Sequence, residues 1–383
     1  MTSSYKLPQS ILNPIMQYLD LDLYSGATKG TRDSLKSVFE VHRKLTEDAS
    51  ESTDVRIKEL SGFNKFIGLY HENLNYEFFQ IERNVQEHIL NSRNLIIQAA
   101  KGLKGRAIVF APGMLEPLLE LSKMFNELVL VGYDVQLLKD LKRRLPAGAN
   151  VILHKADLTN GLVEKIANAF AIGAQSKCTI EETIEKITVI FKDFKPDLDF
   201  MSKLGPADFI VSSCITCELG RVVHQYIDIR SKELYGKTLG EAGVKLQSIG
   251  FGMSVQKQQE WFTKFDVAHD KLLISLPLQH IQDLKTLLKP MGRLYYADTT
   301  SSSQYDYNPK TQTRNFKAGP DWQKQITLLP KEIFSTVDTL FRTVIKRDWL
   351  WDFGPHGRFT DYPNTGVTNN VHARVLTLPK PIS

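Results

Sequence analysis

The sequence predicts an α/β fold, a doubly wound and mostly parallel sheet preceded by an all-helical N-terminal region. Three observations lead there. From Gly105 onward, short apolar runs alternate with helical segments of roughly 10 to 15 residues, the signature of βαβ units. Before that point no convincing strand is found. The 383 residues are enough for two or three average domains, or for one large α/β domain with an appendage.

The helical region comes first. Leu35, Val38, Phe39, Val41, His42 and Leu45 have helical spacing, with Thr31 or Asp33 as the cap. After a polar break from Thr46 to Thr53, a longer helix runs toward Ala100. In it Phe78, Ile81, Val85, Ile89, Ser92 and Ile96 fall three or four apart on one face. The strands follow: Arg106 to Ala111, Leu128 to Tyr133, Val151 to His154, Asp208 to Ser213 and Arg293 to Ala297. Helices are expected around Leu115 to Phe125 and Gln136 to Leu145, and as one long helical stretch from Gly161 to Phe194. Several more lie between Leu219 and Leu288, around a glycine-rich turn at Gly250 to Gly252. The tail predicts a helix from Lys331 to Leu340 and strands near Val344 to Trp351 and Ala373 to Leu378.

Composition excludes some classes. With 42% hydrophobic and 24% charged residues the chain can bury a sizeable core, which rules out global disorder. Lys+Arg 48 against Asp+Glu 43 leaves +5, a thin excess that gives no strong nucleic-acid signal. No apolar run approaches the roughly 18 residues of a membrane span, and the start has no secretory pattern. Three cysteines, Cys178, Cys214 and Cys217, fit free thiols in a reducing cytosol. The expected location is the cytoplasm, or a host cytosol for a secreted effector.

The chemistry-bearing residues cluster at strand ends. Ala107 to Gly113 reads as a buried strand leading into a turn, which in a doubly wound sheet passes close to a ligand. The Gly-x-Gly-x-x-Gly fingerprint of a dinucleotide site is absent, since Leu115 and Leu118 fall where glycines would. Leu128 to Asp134 ends a strand in an acid, suited to accept hydrogen bonds from ribose hydroxyls or to cap the helix starting at Val135. His154-Lys-Ala-Asp157 ends similarly, and Asp157 suits an exocyclic amine or a helix cap. Leu284 to Leu288, Lys289-Pro290, Gly292 and the strand ending at Asp298 form a helix, turn and strand. Cys214-Ile-Thr-Cys217 reads as a redox dithiol, half a zinc site with His224 and Cys178, or buried structural thiols. No second ligand pair exists, so no metal is expected.

The run Leu287-Leu288-Lys289-Pro290-Met291-Gly292 followed by an apolar strand resembles the Leu-Leu-Lys-Pro-Gly-Gly element of class I S-adenosylmethionine-dependent methyltransferases, with Met291 at the first glycine. The resemblance extends from Gly105 to about Leu378. It implies a Rossmann-like, seven-stranded methyltransferase sheet over residues 103–383, with 1–102 a helical domain for a lid, substrate binding or oligomerisation. It implies S-adenosyl-L-methionine as cofactor. Phe110, Ala111 and Gly113 match the first motif, where Ala111 replaces the usual acid and only Gly113 survives of the glycines. Asp134, with Val135 beside it, matches the ribose-binding acid. Ala156, Asp157 and Leu158 match the adenine segment, and Ser212 and Ser213 end the strand beside the methyl donor. The Asp/Asn-Pro-Pro-Tyr signature of amino-directed enzymes is missing.

Methyl transfer mainly requires alignment, with a base for some acceptors. His224, His269, His280 and His356 are candidates, and His269 in Phe265 to Asp270 ranks first. The expected acceptor is an oxygen or nitrogen of a small molecule or protein side chain, and a homodimer is left open. Trp349 to Phe359, rich in aromatics, reads as a substrate wall or as core. Two other readings stand: a catalytically silent binding protein on the same scaffold, motivated by Ala111, and a nucleotide-dependent oxidoreductase without a glycine fingerprint.

Overall fold

The computed structural model describes residues 83–112, 116–133, 135–195, 199–249, 253–316, 326–327, 329–354 and 365–379. Gly113, Asp134, His356 and the segments before residue 83 lie outside them. The chain opens with α1 (Arg83–Ala100), β1 (Arg106–Phe110), α2 (Leu118–Met124), β2 (Glu127–Gly132), α3 (Val135–Arg143) and β3 (Val151–Lys155). Then come α4 (Leu162–Gln175), α5 (Ile180–Lys192), α6 (Asp199–Ser202), β4 (Ala207–Ser213), α7 (Thr216–Tyr235) and α8 (Leu239–Gly243). A hairpin of β5 (Val244–Ile249) and β6 (Met253–Gln258) precedes α9 (Glu260–Leu287) and β7 (Leu288–Asn308). The tail holds β8 (Thr313–Phe316), β9 (Ile326–Thr327), α10 (Lys331–Leu340), β10 (Arg342–Gly354) and β11 (Thr365–Thr377).

The main sheet has the order β10-β11-β7-β4-β1-β2-β3, with short β8 and β9 added to β7. From β3 across to β7 all neighbours are parallel, while β11 is antiparallel to β7 and β10 antiparallel to β11. This is the mostly parallel, doubly wound sheet that the sequence predicts. Its inner strands are apolar throughout because both faces are covered. Ala107, Val109, Leu128, Leu130, Phe209 and Val211 meet α1, α2 and α3 on one face. Ile108, Phe110, Val129, Val131 and Ile210 meet the helices from α4 onward on the other.

In α1 the buried residues His88, Ser92, Leu95, Ile96 and Ala99 repeat every three or four positions. This stripe packs on the sheet, and Trp349 Nε1 donates to His88 Nδ1 at 2.7 Å. The aromatic stretch from Trp349 therefore begins as core: Trp351 is buried and stacks on His88 with centroids 4.5 Å apart.

Three expectations change. The single helical stretch from Gly161 to Phe194 is two helices, because Thr179 and Glu182 form a reciprocal capping box that starts α5. The run between Leu219 and Leu288, expected to hold several helices and a glycine-rich turn, also holds two strands, β5 pairing with β6 from Val244↔Gln258 to Ile249↔Met253, while Gly250 to Gly252 lie outside the described residues. The fifth parallel strand, expected over Arg293 to Ala297, runs from Leu288 to Asn308 as β7. Its polar half from Thr299 onward is held by β11 through pairs such as Ser302↔Asn369. At the α9–β7 junction Met291 is 88% exposed, and a side chain is accommodated there. Gly292 is not, since a Cβ there would lie 2.9 Å from Leu288 Cδ1 and 3.0 Å from the Asp208 carbonyl oxygen.

Candidate active site

The winding reverses at β1, which has β2 and β3 on one side and β4 on the other. In such sheets a crevice opens beyond the carboxyl ends of the two strands at the reversal, and ligands bind there. The ends of β1 and β4 share an unusual feature. Ala111 has φ +41° and Cys214 has φ +54°, left-handed values that cost a side-chain-bearing residue of the order of 1 kcal/mol or more. Backbone hydrogen bonds hold both turns: Ala111 N donates to Val131 O and Cys214 N to Ala297 O, each at 2.7 Å. Ala111 is exposed at the end of β1.

The sequence-predicted residues separate into groups. Ala111, Ala156, Asp157 and Leu158 follow β1 and β3 at the same sheet edge, and Ala156 N donates to Gly132 O at 2.9 Å. Val135 opens α3, half-buried. Asp157 is held by its own loop: it accepts from Thr159 N at 2.8 Å, Thr159 Oγ1 at 2.6 Å and Gly161 N at 3.1 Å. Burial raises the Asp157 carboxyl above its ordinary range, against the pull of those hydrogen bonds. Beside it, Lys155 Nζ lies 5.6 Å from the Tyr133 ring centroid. Burial and then the charges of Asp157 and Glu164 push the Tyr133 hydroxyl up to about 12.

Phe110 and Ser212 turn their side chains into the core. Ser212 Oγ bonds His280 Nε2 at 3.0 Å, and the same ring meets Phe110 edge-on at 5.5 Å. Both residues are fully buried, so a ligand in the crevice would meet their backbone. Ser213 is half-buried, with its hydroxyl against Tyr295 and Cys214.

His269 is not at the strand ends. It lies eleven residues before His280 on α9, about 16 Å of helix, and packs among Phe191, Phe265 and His224. Its backbone partner is Gly220 of α7, and burial, then the neighbouring His224, lowers its pKa to about 4. Its side chain lies on the face of α9 that packs against α5 and α7, a helix–helix contact. His280 is likewise lowered to about 4 by burial.

Sequence reasoning missed a network around Asp298, inside β7 and fully buried. Asp298 accepts from Cys217 N and Thr299 N, each at 3.2 Å, and from the Tyr296 hydroxyl at 3.1 Å. Tyr296 in turn bonds Thr216 Oγ1 at 2.9 Å, and Thr299 Oγ1 donates to Cys217 Sγ at 2.9 Å. Ile215, at the cap position of α7, offers no side-chain cap. Asp298 supplies it from another strand by binding the first turn of α7. Burial pushes Asp298 up to about 7. Burial, then the charges of Asp298 and Glu218, pushes both Cys214 and Cys217 thiols up. That keeps the Cys-x-x-Cys pair protonated, unlike a reactive dithiol. Cys178 lies before α5, beside Lys186. Among the described residues no three His, Cys, Asp or Glu side chains are grouped to hold a metal ion, and no helix is long and apolar enough to cross a membrane.

No family model and no curated protein matches the sequence. Solved structures with a similar course do exist. An N-methyltransferase NodS from Bradyrhizobium japonicum, in complex with S-adenosyl-L-homocysteine, is 10% identical over 81% of this chain and 98% of its own, with a TM-score of 0.33. A SAM-dependent methyltransferase from Leishmania major is 12% identical over 88% of this chain and 91% of its own, with a TM-score of 0.37. An S-adenosylmethionine-dependent methyltransferase from Clostridium acetobutylicum is 8% identical over 82% and 98%, with a TM-score of 0.33. The order and directions of its own strands give this chain the doubly wound, mostly parallel architecture that its sequence resemblance to class I S-adenosylmethionine-dependent methyltransferases implied, with nine strands in the sheet where seven were expected, because β8 and β9 add to β7.

Proposed function

We propose that this protein is an S-adenosylmethionine-dependent methyltransferase acting on an oxygen or nitrogen of a small molecule or a protein side chain. The observation that carries the reading is the reversal of strand order between β1 and β4, where ligands bind in such sheets, flanked by two left-handed turns at Ala111 and Cys214. Strained backbone of this kind concentrates where a ligand is held.

The residues fit the donor in part. Ala111 is small and exposed, so the chain can approach a ligand closely there even without the family's acid. Asp134, assigned from sequence, would take the ribose hydroxyls. Ala156 and Leu158 would flank the adenine, while Asp157, with its oxygens already satisfied, would shape that loop more than bind. Ser212 and Ser213 would contribute backbone near the methyl group. When bound, the donor supplies an electrophilic methyl carbon, and the chain's task is to align the acceptor with it and exclude water. His269, buried between helices, is an unsuitable base for an acceptor at the strand ends.

Calorimetric titration with S-adenosylmethionine and S-adenosylhomocysteine tests the reading. Saturable binding is expected, and a folded protein that binds neither would sink it. Ala111 at the acid position favours a second reading, a silent binder on the same scaffold. Transfer from a labelled donor to a cell extract separates the two: label in an acceptor supports the enzyme, and donor binding without transfer supports the binder.

A further inference from the structure

We propose that Asp298 is a positioning residue for that crevice: from within β7 it pins the first turn of α7, and with it the Cys214 turn that forms the β4 wall. This inference rests on the methyltransferase reading, because it assigns the donor to the same crevice.

The connection is short. Cys214 is tied to Ala297, the residue before Asp298, by its own N–H. Three positions on, Cys217 N donates to Asp298 Oδ1. The left-handed turn is thus clamped at both ends onto two consecutive residues of β7. Tyr296 and Thr299 hold the carboxylate itself, and Thr216 holds Tyr296. A turn containing a left-handed cysteine relaxes unless its surroundings over-determine it, and Asp298 is the fully buried group that makes most of those contacts.

The donors on Asp298 are the Cys217 and Thr299 amides and the Tyr296 hydroxyl, with the Cys217 thiol adjoining. An ionised carboxylate accepts them all. A protonated one keeps Oδ1 for the two amides but makes Oδ2 a donor, so the Tyr296 hydroxyl must reverse toward Thr216 and the amide bonds lose their charge assistance. The charged and titratable groups around Asp298 are Glu218 and Cys217 on α7, Cys214 on the turn, Tyr296 on β7, and His372, its direct neighbour on β11. Asp298 itself changes charge near neutral pH. Ionisation should therefore tighten the turn while leaving a costlier buried charge. Donor binding should improve with rising pH as global stability declines, a divergence that an ordinary structural cap would not produce.

The test uses the full chain and its Asp298→Asn and Asp298→Ala variants, with folding checked by circular dichroism. Amide hydrogen exchange across residues 212–220 reads the clamp without any cofactor. Titration with S-adenosylmethionine at pH 6, 7 and 8 reads its consequence. We expect faster exchange at Cys217 in Asp298→Ala. We also expect a wild-type affinity that rises roughly fivefold to tenfold from pH 6 to 8, about one hydrogen bond's worth, and a flat profile in Asp298→Asn. Unchanged exchange at Cys217, a flat wild-type profile, or a wild-type slope retained in Asp298→Asn overturns the proposal. A folded wild type that binds no donor at any pH instead removes the methyltransferase reading, and the positioning role falls with it.

Discussion

At the carboxyl edge of the sheet Asp298 is fully buried, yet its oxygens receive two amides and a hydroxyl. Between α7 and α9, His269 is 8% exposed, yet its Nε2 finds no partner, and neither does Nδ1 of His224 across a 4.7 Å ring separation. Burial is similar, but Asp298 is fully partnered while His269 has one backbone partner, Gly220, and one bare nitrogen. A polar group buried with a full set of partners has fixed geometry, because every alternative position strands a donor. A polar group buried without them is tolerated for its ring, which packs like its aromatic neighbours Phe191 and Phe265. The first arrangement suits a site, and the second suits a core. Residue type alone would have ranked them the other way.

Titration sharpens this contrast most. Asp298 is raised from 3.8 to about 7, so between those values the native state holds a proton that the unfolded chain lacks. Stability from this group is present below pH 4 and lost as pH rises through 7, by at most about 4 kcal/mol. His269 is lowered from 6.5 to about 4, so there the unfolded chain holds the extra proton. Its contribution is present above pH 6.5 and lost as pH falls through 4, by up to about 3 kcal/mol. The two limbs overlap between about pH 4 and 7 with opposite signs, so urea midpoints measured from pH 4 to 9 should show Asp298→Asn abolishing the falling limb, which leaves a steeper rise with pH, and His269→Leu abolishing the rising one. Either variant leaving its own limb unchanged breaks the assignment. His269→Leu should cost only about 1 kcal/mol at pH 7, since it gives up the single hydrogen bond to Gly220 but removes an orphaned nitrogen and keeps apolar bulk.

How much of this was readable beforehand follows from the range of each interaction. The parallel strands were legible because burial on both faces leaves unbroken apolar runs such as Ala107 to Phe110. The start of α5 was legible in principle, as Thr179 and Glu182 have capping-box spacing, but the apolar pattern on either side hid the break. The alternation of Val244-Lys-Leu-Gln-Ser-Ile is a strand signal too short to outweigh its helical surroundings. The polar half of β7 carries no local signal, since Thr299 to Asn308 is a strand only because β11 pairs with it. The site divides similarly. Asp298 was visible as one more acid ending a strand, but 81 residues separate it from the Cys217 amide it holds. No spacing rule spans that distance.

A third acid lies between the two extremes. Asp157 is partnered, but only within four residues of its own loop. If its role is that of a local cap, Asp157→Ala should lower stability by about 1 kcal/mol and change affinity for S-adenosylmethionine by less than about threefold. A loss of donor affinity well beyond the stability change would instead make it a ligand contact, unlike the buried, positioning Asp298.

The smallest expected effect concerns backbone. Ala111 and Cys214 are both left-handed at the two strand ends of the crevice, but only Cys214 is clamped by side-chain bonds around it. Ala111 is exposed and held by one backbone hydrogen bond. Glycine adopts φ +41° without the Cβ clash, so Ala111→Gly should raise stability, by up to about 1 kcal/mol, less the extra entropy of its unfolded state. Thermal unfolding would read this as a rise of a few degrees or less. If alanine is kept there only because the turn tolerates it, donor affinity should hold or improve. If its methyl group touches the ligand, affinity should fall while the melting temperature rises, and that divergence would show that the β1 rim uses a side chain where the β4 wall uses a clamp.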